Sequence, residues 1–528
     1  MRGVLDASGA ALLATGVWVL VRVFFHAPIE AFDEGVLLTG SMLVLQGKSI
    51  YRDFYTNYPP GIFLTISALW RLFGVTPLAL RFLGLGIHVG LSLVAGRLAG
   101  RAGGRRFSWL AAGLVAAWLC LLMNVPYAWL AGLLAALVFV ERLPSAICSR
   151  GRGAWVAAGL ALGAVGSYRH DLFVYLVLGL ALPGGAWIVA TRGRGLTKDL
   201  FRKVAPGLAA VAGVLGLVWI PPLIRAGVAT VSADVFFDQI RYVMPSRILP
   251  FPDLFRFYST PTGAIFPAFS CQPFEGGLVL TLAGPALGLA ALLLVHRLEK
   301  RWDVGLLLLT SLSLAVLPQV LGRTDLHHAL FTVPPALILG AVLAERAALR
   351  GPGALLPATS AGLVVLLALP VAFHLLPVMG ARPPAALPGQ PARYAGLPES
   401  SETIAAARRV VLEFLDRYGR SGDPLFVGSV DHRFPLGSEM DLYFLADRTG
   451  ATRYMQFDPG LVGRREVQEQ MIRDLDRTRP AAAVLSWQWS GSEENESSKP
   501  GAIVLDEYLR LHYRAVGTAG PYLLLLRR

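Results

Sequence analysis

Long apolar runs separated by short polar gaps make up the first 380 residues. "LALRFLGLGIHVGLSLVAGRLAG", "VAPGLAAVAGVLGLVWIPPLI", "GGLVLTLAGPALGLAALLLVH" and "GALLPATSAGLVVLLALPVAFHLL" each hold about the twenty mostly apolar residues that a helix needs to cross the hydrocarbon of a bilayer. The pattern predicts helices near 10–25, 78–100, 107–123, 127–141, 154–168, 171–190, 204–224, 276–296, 304–321, 328–345 and 354–377. The fold class is therefore an α-helical polytopic membrane protein of about eleven transmembrane helices.

Beyond residue 378 the pattern changes. Residues 379–400 form a Pro- and Gly-rich linker between the membrane domain, 1–378, and a small domain at 401–528. "SETIAAARRVVLEFLDRYGRSG" has a serine cap, apolar residues at helical spacing and a stop at Gly419. "DPLFVGS", "AAAVLSW" and "PYLLLLRR" read as short strands, and "GRREVQEQMIRDLDRTRP" as a helix before one of them. That alternation predicts an α/β module. "SGSEENESSKPG" reads as a mobile loop by composition.

Composition agrees with the pattern: 54% of the 528 residues are hydrophobic and the mean hydropathy is +0.55, well above the balance of a soluble domain. A net charge of +13 suggests nucleic acid only until the cations are located. They cluster at 97–106, 150–152, 192–203, 297–301 and 346–350, in alternate loops, which is the positive-inside pattern. No nucleic-acid partner is expected. The assignment puts the N-terminus in the cytoplasm and places the loop 26–60, the loop 226–275 and the C-terminal domain outside. The first apolar run lacks a small-residue cleavage motif and reads as an uncleaved anchor. The usage suits a bacterial inner membrane. Three cysteines imply no disulfide framework.

The first external loop carries unusual chemistry. "HAPIEAFDEGVLLTG" brings Glu30, Asp33 and Glu34 together directly after an apolar helix. "GKSIYRDFYTNYPPGIFLTISALWRLFG" follows, its aromatic residues suited to the membrane interface. Residues 61–73 predict a short apolar helix lying flat on the outer surface. The order "FDEG", "GKSIYRDF", "YPPG", a short helix ending "LFG" and Arg81 in "PLALRFLG" resembles the GT-C membrane glycosyltransferases. Within them it is closest to family 39, the protein O-mannosyltransferase and aminoarabinose-transferase group. The specific likeness covers residues 26–85.

The resemblance implies a GT-C fold and a sugar carried on polyprenyl phosphate, transferred with inversion to an acceptor hydroxyl. It maps the catalytic acid onto Asp33, with Glu34 beside it. A positioned carboxylate takes the acceptor's proton during attack. Adjacent helical residues face different ways, which favours Asp33 alone as the base. The leaving phosphate needs cationic partners. Arg81 joins Arg169 of "GSYRHDLF" and Arg323 and His327 of "LGRTDLHHALF" as candidates. The plainer alternative is ion pairing of Arg169 with Asp171 and of Arg323 with Asp325. Arg52, Asp53, Tyr58 and Asp171 are candidate substrate-positioning residues, and for Arg52 and Asp53 interfacial anchoring is the competing reading. No cofactor is expected. Adjacent histidines rarely converge on one ion and no HExxH or CxxC is present, so a divalent metal is not favoured.

Related enzymes often carry a further acid in the next external loop. Here that loop is "LLMNVPYAWLAG", with Asn124 and Tyr127 instead, which favours a single base. Residues 226–275 mix aromatics with Arg241, Arg247 and Arg256, and read either as a mobile lid or as an interfacial cap on the bundle. The expected partners are a polyprenyl-phosphate sugar donor, a glycan, lipid or protein acceptor, and membrane lipids. A polytopic lipid or glycolipid transporter or flippase is the alternative class. It would be expected to carry midplane charges in broken helices, whereas these ionisable residues gather at one face.

Overall fold

A computed structural model describes residues 2–24, 27–102, 108–122, 125–148, 151–190, 198–254, 256–259, 265–300, 302–350 and 401–528. The chain divides into two compact units, neither continuous in sequence. The first comprises residues 1–25, 83–217 and 251–382, and the second residues 26–82, 218–250 and 383–528.

The first unit is a helical bundle. Helices occupy the first ten predicted segments: Arg2–Val19, Pro77–Ala102, Ser108–Leu119, Ala128–Cys148, Arg152–Tyr168, His170–Ala190, Lys198–Ala226, Pro273–Glu299, Val304–Ala315 with Leu317–Gly322, and the bent pair Leu326–Thr332 and Pro334–Arg350. Two of these, Pro77–Ala102 and Lys198–Ala226, run from one unit into the other. The predicted span 354–377 and the linker 379–400 lie outside the described residues. Among those described, five helices are long and apolar enough to cross a membrane, or six if the bent pair counts as one span. Among the described residues the count of about eleven is thus not confirmed; Ser108–Leu122, for one, is apolar but shorter than a span. The architecture is that of a multi-pass membrane protein.

Small residues set the helix spacing within this bundle. A Cβ on Gly113 would come within 2.8 Å of the Leu12 side chain, and one on Gly163 within 2.8 Å of Val214. Such close approach replaces the hydrophobic drive that lipid cannot supply. Two of the basic clusters are partly neutralised by acids: Glu141 receives Arg97 at 2.9 Å and Arg101 at 3.2 Å, and Glu299 pairs with Arg346.

The second unit holds a five-stranded sheet. Its order is Thr449–Gly450, Pro424–Ser429, Ala482–Ser486, Tyr522–Arg527, Tyr513–Ala519; the first three strands run parallel to one another, and Tyr522–Arg527 runs antiparallel to the neighbour on each side. Ser401 caps the Glu402–Arg417 helix by accepting from the Ile404 amide, and the Arg465–Thr478 helix precedes the central strand. The α/β reading of this region is correct. The acidic stretch after Ser490, expected to be mobile, is instead structured: Asn495 caps a short turn at Glu496–Ser498, and the Glu496 amide donates to the Pro245 carbonyl.

The segment that carries the three acids is built into this same unit. Two helices form there, Asp33–Leu45 and Pro60–Phe73. The second begins at a proline that needs no amide partner and stops at Gly74, whose φ of 85° few other residues adopt. It buries Ile62, Phe63, Ile66 and Trp70 and exposes Leu72 and Phe73, an amphipathic division.

Candidate functional site

Three acids lie at the start of the Asp33–Leu45 helix, where unpaired amides and the helix dipole favour negative charge. Glu30 accepts the Phe32 amide on Oε1 and the Glu34 amide on Oε2, both at 2.9 Å, while Glu34 Oε2 accepts the Glu30 amide at 3.0 Å. This reciprocal arrangement acts as a capping box. Glu34 is fully buried and Arg81 is 1% exposed. Arg81 Nε donates to Glu34 Oε1 at 2.9 Å and Nη2 to Oε2 at 3.0 Å; the remaining contacts of the guanidinium include the carbonyls of Ala27 and Pro28. The candidate acid Glu34 and the candidate phosphate ligand Arg81 are therefore each other's partners.

Asp33 differs from both neighbours. It is only partly buried, its Oδ1 accepts from the Tyr58 hydroxyl at 3.1 Å, and Oδ2 has no hydrogen-bond partner among the described residues. Burial, then the Asp33 charge, push the Glu30 carboxyl up to about 8.

Residues far along the chain hold this loop from behind. The Asp441 amide donates to the Ala31 carbonyl at 3.2 Å, and the Thr39 hydroxyl to the Met440 carbonyl at 2.6 Å. Phe32 packs on Trp489 with ring centroids 5.6 Å apart. Sequence reasoning missed Asp458, which is buried and accepts from the Tyr55 hydroxyl at 2.9 Å, Gln456 at 3.1 Å and Arg247 at 3.3 Å. Burial pushes its carboxyl above the usual range against the pull of Arg247, and the nearby Asp33 charge adds to the rise. It also missed Asp234, which pairs with Arg453 and which burial pushes up to about 7. The π-helical turns around residues 233–243 are fastened by these contacts and by Arg464, which lies 3.8 Å above the Tyr242 ring. Only the "FDPG" turn signal hinted at Asp458.

Arg52 and Asp53 form an exposed pair at 2.8 Å, and Asp53 Oδ2 also accepts the Ser49 amide at 2.6 Å.

The other candidates belong to the first unit, where the structure joins two separate motifs. Arg169 grips Asp171 at 2.8 and 2.6 Å, reaches Gln319 at 3.3 Å and lies 5.1 Å above the Trp129 ring. Trp129 donates to the Phe331 carbonyl, and Tyr127 stands 5.0 Å from the Phe331 ring and 6.2 Å from His327. Asp325 receives Arg323 and His328, each at 2.7 Å. Both anticipated ion pairs are present. Among the described residues no three His, Cys, Asp or Glu side chains converge as metal ligands do.

No family model matches the sequence, and no curated protein is similar to it in sequence. Structures are more informative. ArnT from Cupriavidus metallidurans bound to undecaprenyl phosphate superposes with a TM-score of 0.56 over 99% of this chain and 97% of that one, at 13% identity. The chain shares the fold of this ArnT structure, the GT-C fold. ArnT from the same organism in the apo state gives a TM-score of 0.55 at 14% identity, covering 98% and 96% of the two chains. The Archaeoglobus fulgidus oligosaccharyltransferase in the apo form aligns more loosely, at a TM-score of 0.49 and 12% identity over 90% of this chain and 69% of that one. Within this GT-C fold, Asp33, Glu34, Tyr58 and Arg81 belong to the second unit, and Arg169, Asp171, Arg323 and His327 to the first.

Proposed function

We propose that the chain is an inverting glycosyltransferase that moves a sugar from a polyprenyl-phosphate donor to an acceptor hydroxyl on the outer face of a bacterial inner membrane. The observation that carries the reading is the division of labour among the three acids on a GT-C fold. Both oxygens of Glu30 are taken up by backbone amides and Glu34 is committed to Arg81, which leaves the partly exposed carboxyl group of Asp33 for chemistry. ArnT, whose fold the chain shares, is bound to undecaprenyl phosphate in one of its structures, which supports a polyprenyl-phosphate carrier.

In this reading the acceptor oxygen attacks the anomeric carbon from the side opposite the phosphate. The bond from that carbon to the phosphate oxygen breaks, its electron pair leaves with the phosphate, and the acceptor proton passes to Asp33. Tyr58 holds the carboxylate in one orientation. Arg81 and Glu34 fix the turn that presents it, so Arg81 acts as a positioning residue. Asp171 orients Arg169.

The test uses purified protein in lipid with a panel of polyprenyl-phosphate sugars and acceptor extracts, following release of free polyprenyl phosphate. Wild type releases it, Asp33→Asn loses about 10²–10⁴-fold in rate, and EDTA leaves the rate unchanged. Equal turnover by wild type and Asp33→Asn refutes the assignment of the base.

A further inference from the structure

A second site opens at the other end of the Asp33–Leu45 helix. There the segment 48–53 and the C-terminal residues 449–478 enclose a cavity of about 780 Å³, within the size range of small-ligand sites. Its walls carry Lys48, Arg52, Arg453, Arg473 and Arg477 against two carboxylates, Asp53 and Asp474. The carboxylates are already engaged. Asp53 pairs with Arg52 and caps Ser49; Asp474 accepts the Arg453 amide at 3.1 Å and Arg477 at 2.9 Å. Lys48 makes no direct ion pair among the described residues, although its charge also acts on Asp53, and the hydrogen bonds of the Arg473 guanidinium go to the Gln470 side chain. The concave surface therefore holds an excess of positive charge, which its low-dielectric walls focus.

The loop that presents Lys48 and Arg52 is rigid. Tyr51 is fully buried with φ at 68°, a left-handed conformation that is costly for a bulky side chain and persists only where the surroundings enforce it. The enforcing contacts are a stack on Trp219 with centroids 6.3 Å apart, a hydrogen bond from Tyr51 Oη to the Tyr58 carbonyl, and one from Arg453 Nε to the Tyr51 carbonyl. A surface that merely kept the protein soluble would not require a strained, buried support for its cations.

We infer that this cavity binds an acidic saccharide, a carboxylate- or phosphate-bearing portion of the acceptor. The inference rests on the transferase reading above. The helix separating Lys48 from Asp33 is 13 residues long, so the pocket lies roughly 20 Å from the base. It recognises a part of the acceptor away from the reacting hydroxyl and contributes binding energy at a distance from the chemistry.

Binding is measured without any donor, by titration calorimetry on the full-length protein in detergent. The probes are tetragalacturonate, inorganic pyrophosphate and the neutral maltotetraose. Wild type binds tetragalacturonate or pyrophosphate, whichever acid the acceptor carries, more weakly as salt rises, and does not bind maltotetraose. The pair Lys48→Glu, Arg473→Glu lowers the affinity at least about tenfold, whereas Arg510→Glu, an exposed cation elsewhere in the unit, leaves it unchanged. If the reversals impair folding, Lys48→Gln with Arg473→Gln replaces them. No binding of either acid by wild type, equal binding of the neutral sugar, or full affinity in the double variant overturns the proposal. Because no donor is present, these outcomes are independent of Asp33: a protein that binds acid saccharides but turns over no donor refutes only the transferase reading.

Discussion

Glu30 makes the native fold pH-sensitive in a direction that can be calculated. Its carboxyl is partly buried, accepts two backbone amides at 2.9 Å and is pushed from 4.5 up to about 8 by burial and then by Asp33. Between those pH values the unfolded chain has released the proton while the native protein keeps it. The native state binds more protons, so stability falls as pH rises across this window and levels off above it. At about 1.4 kcal/mol per pH unit, the interval corresponds to a loss of roughly 5 kcal/mol. Glu30→Gln removes the titration. Its amide nitrogen confronts one of the two backbone N–H groups, an offset of about 1–3 kcal/mol that does not vary with pH. The assay is thermal unfolding of detergent-solubilised protein from pH 5 to 9, followed by tryptophan fluorescence, to which Trp489 against Phe32 contributes locally. Wild type is more stable than the variant at pH 5, and the order reverses by pH 8.5. Parallel curves for the two proteins across the range would refute the reasoning.

Other expectations concern the same loop. Arg81→Met leaves Glu34 buried without its partner and destabilises by about 3–5 kcal/mol, whereas Arg81→Met with Glu34→Gln recovers part of that loss; the unfolding temperatures of these two variants and of Glu34→Gln alone, each against wild type, measure the coupling. Gly35→Ala places a Cβ within 2.6 Å of the Asp441 backbone nitrogen and 3.0 Å of Met440 Cβ, which forces the Asp33–Leu45 helix away from the C-terminal residues at a cost of about 1–3 kcal/mol. Limited proteolysis of the 26–60 region checks this, with faster cleavage than in wild type.

Much of this architecture is legible along the chain because the signals are local. Apolar runs announced the helices, Pro59–Pro60 and Gly74 bracketed the short amphipathic one, and a serine cap and alternating patterns located the C-terminal module. The acids at 30–34 stood out because carboxylates are costly beside an apolar helix. Their division of roles did not. Nothing near Arg81 says that its partner is Glu34, 47 positions away, and nothing near Tyr55 points to Asp458, 403 positions on. The ion pairs at 169–171 and 323–325 were readable in sequence. Their linkage through Gln319, Trp129 and Phe331 is a product of packing.

The segment that carries Asp33 is completed by residues synthesised some 400 positions later, as the Tyr55–Asp458 hydrogen bond shows. At roughly 5–20 residues per second, about 20–80 s pass between the emergence of the two halves. During that interval the nascent chain holds an acidic, aromatic loop whose supporting strands do not yet exist. The surroundings of Asp33 are therefore assembled among the late events of biogenesis, and the unfinished chain offers proteases and holding chaperones a long exposure in which to act.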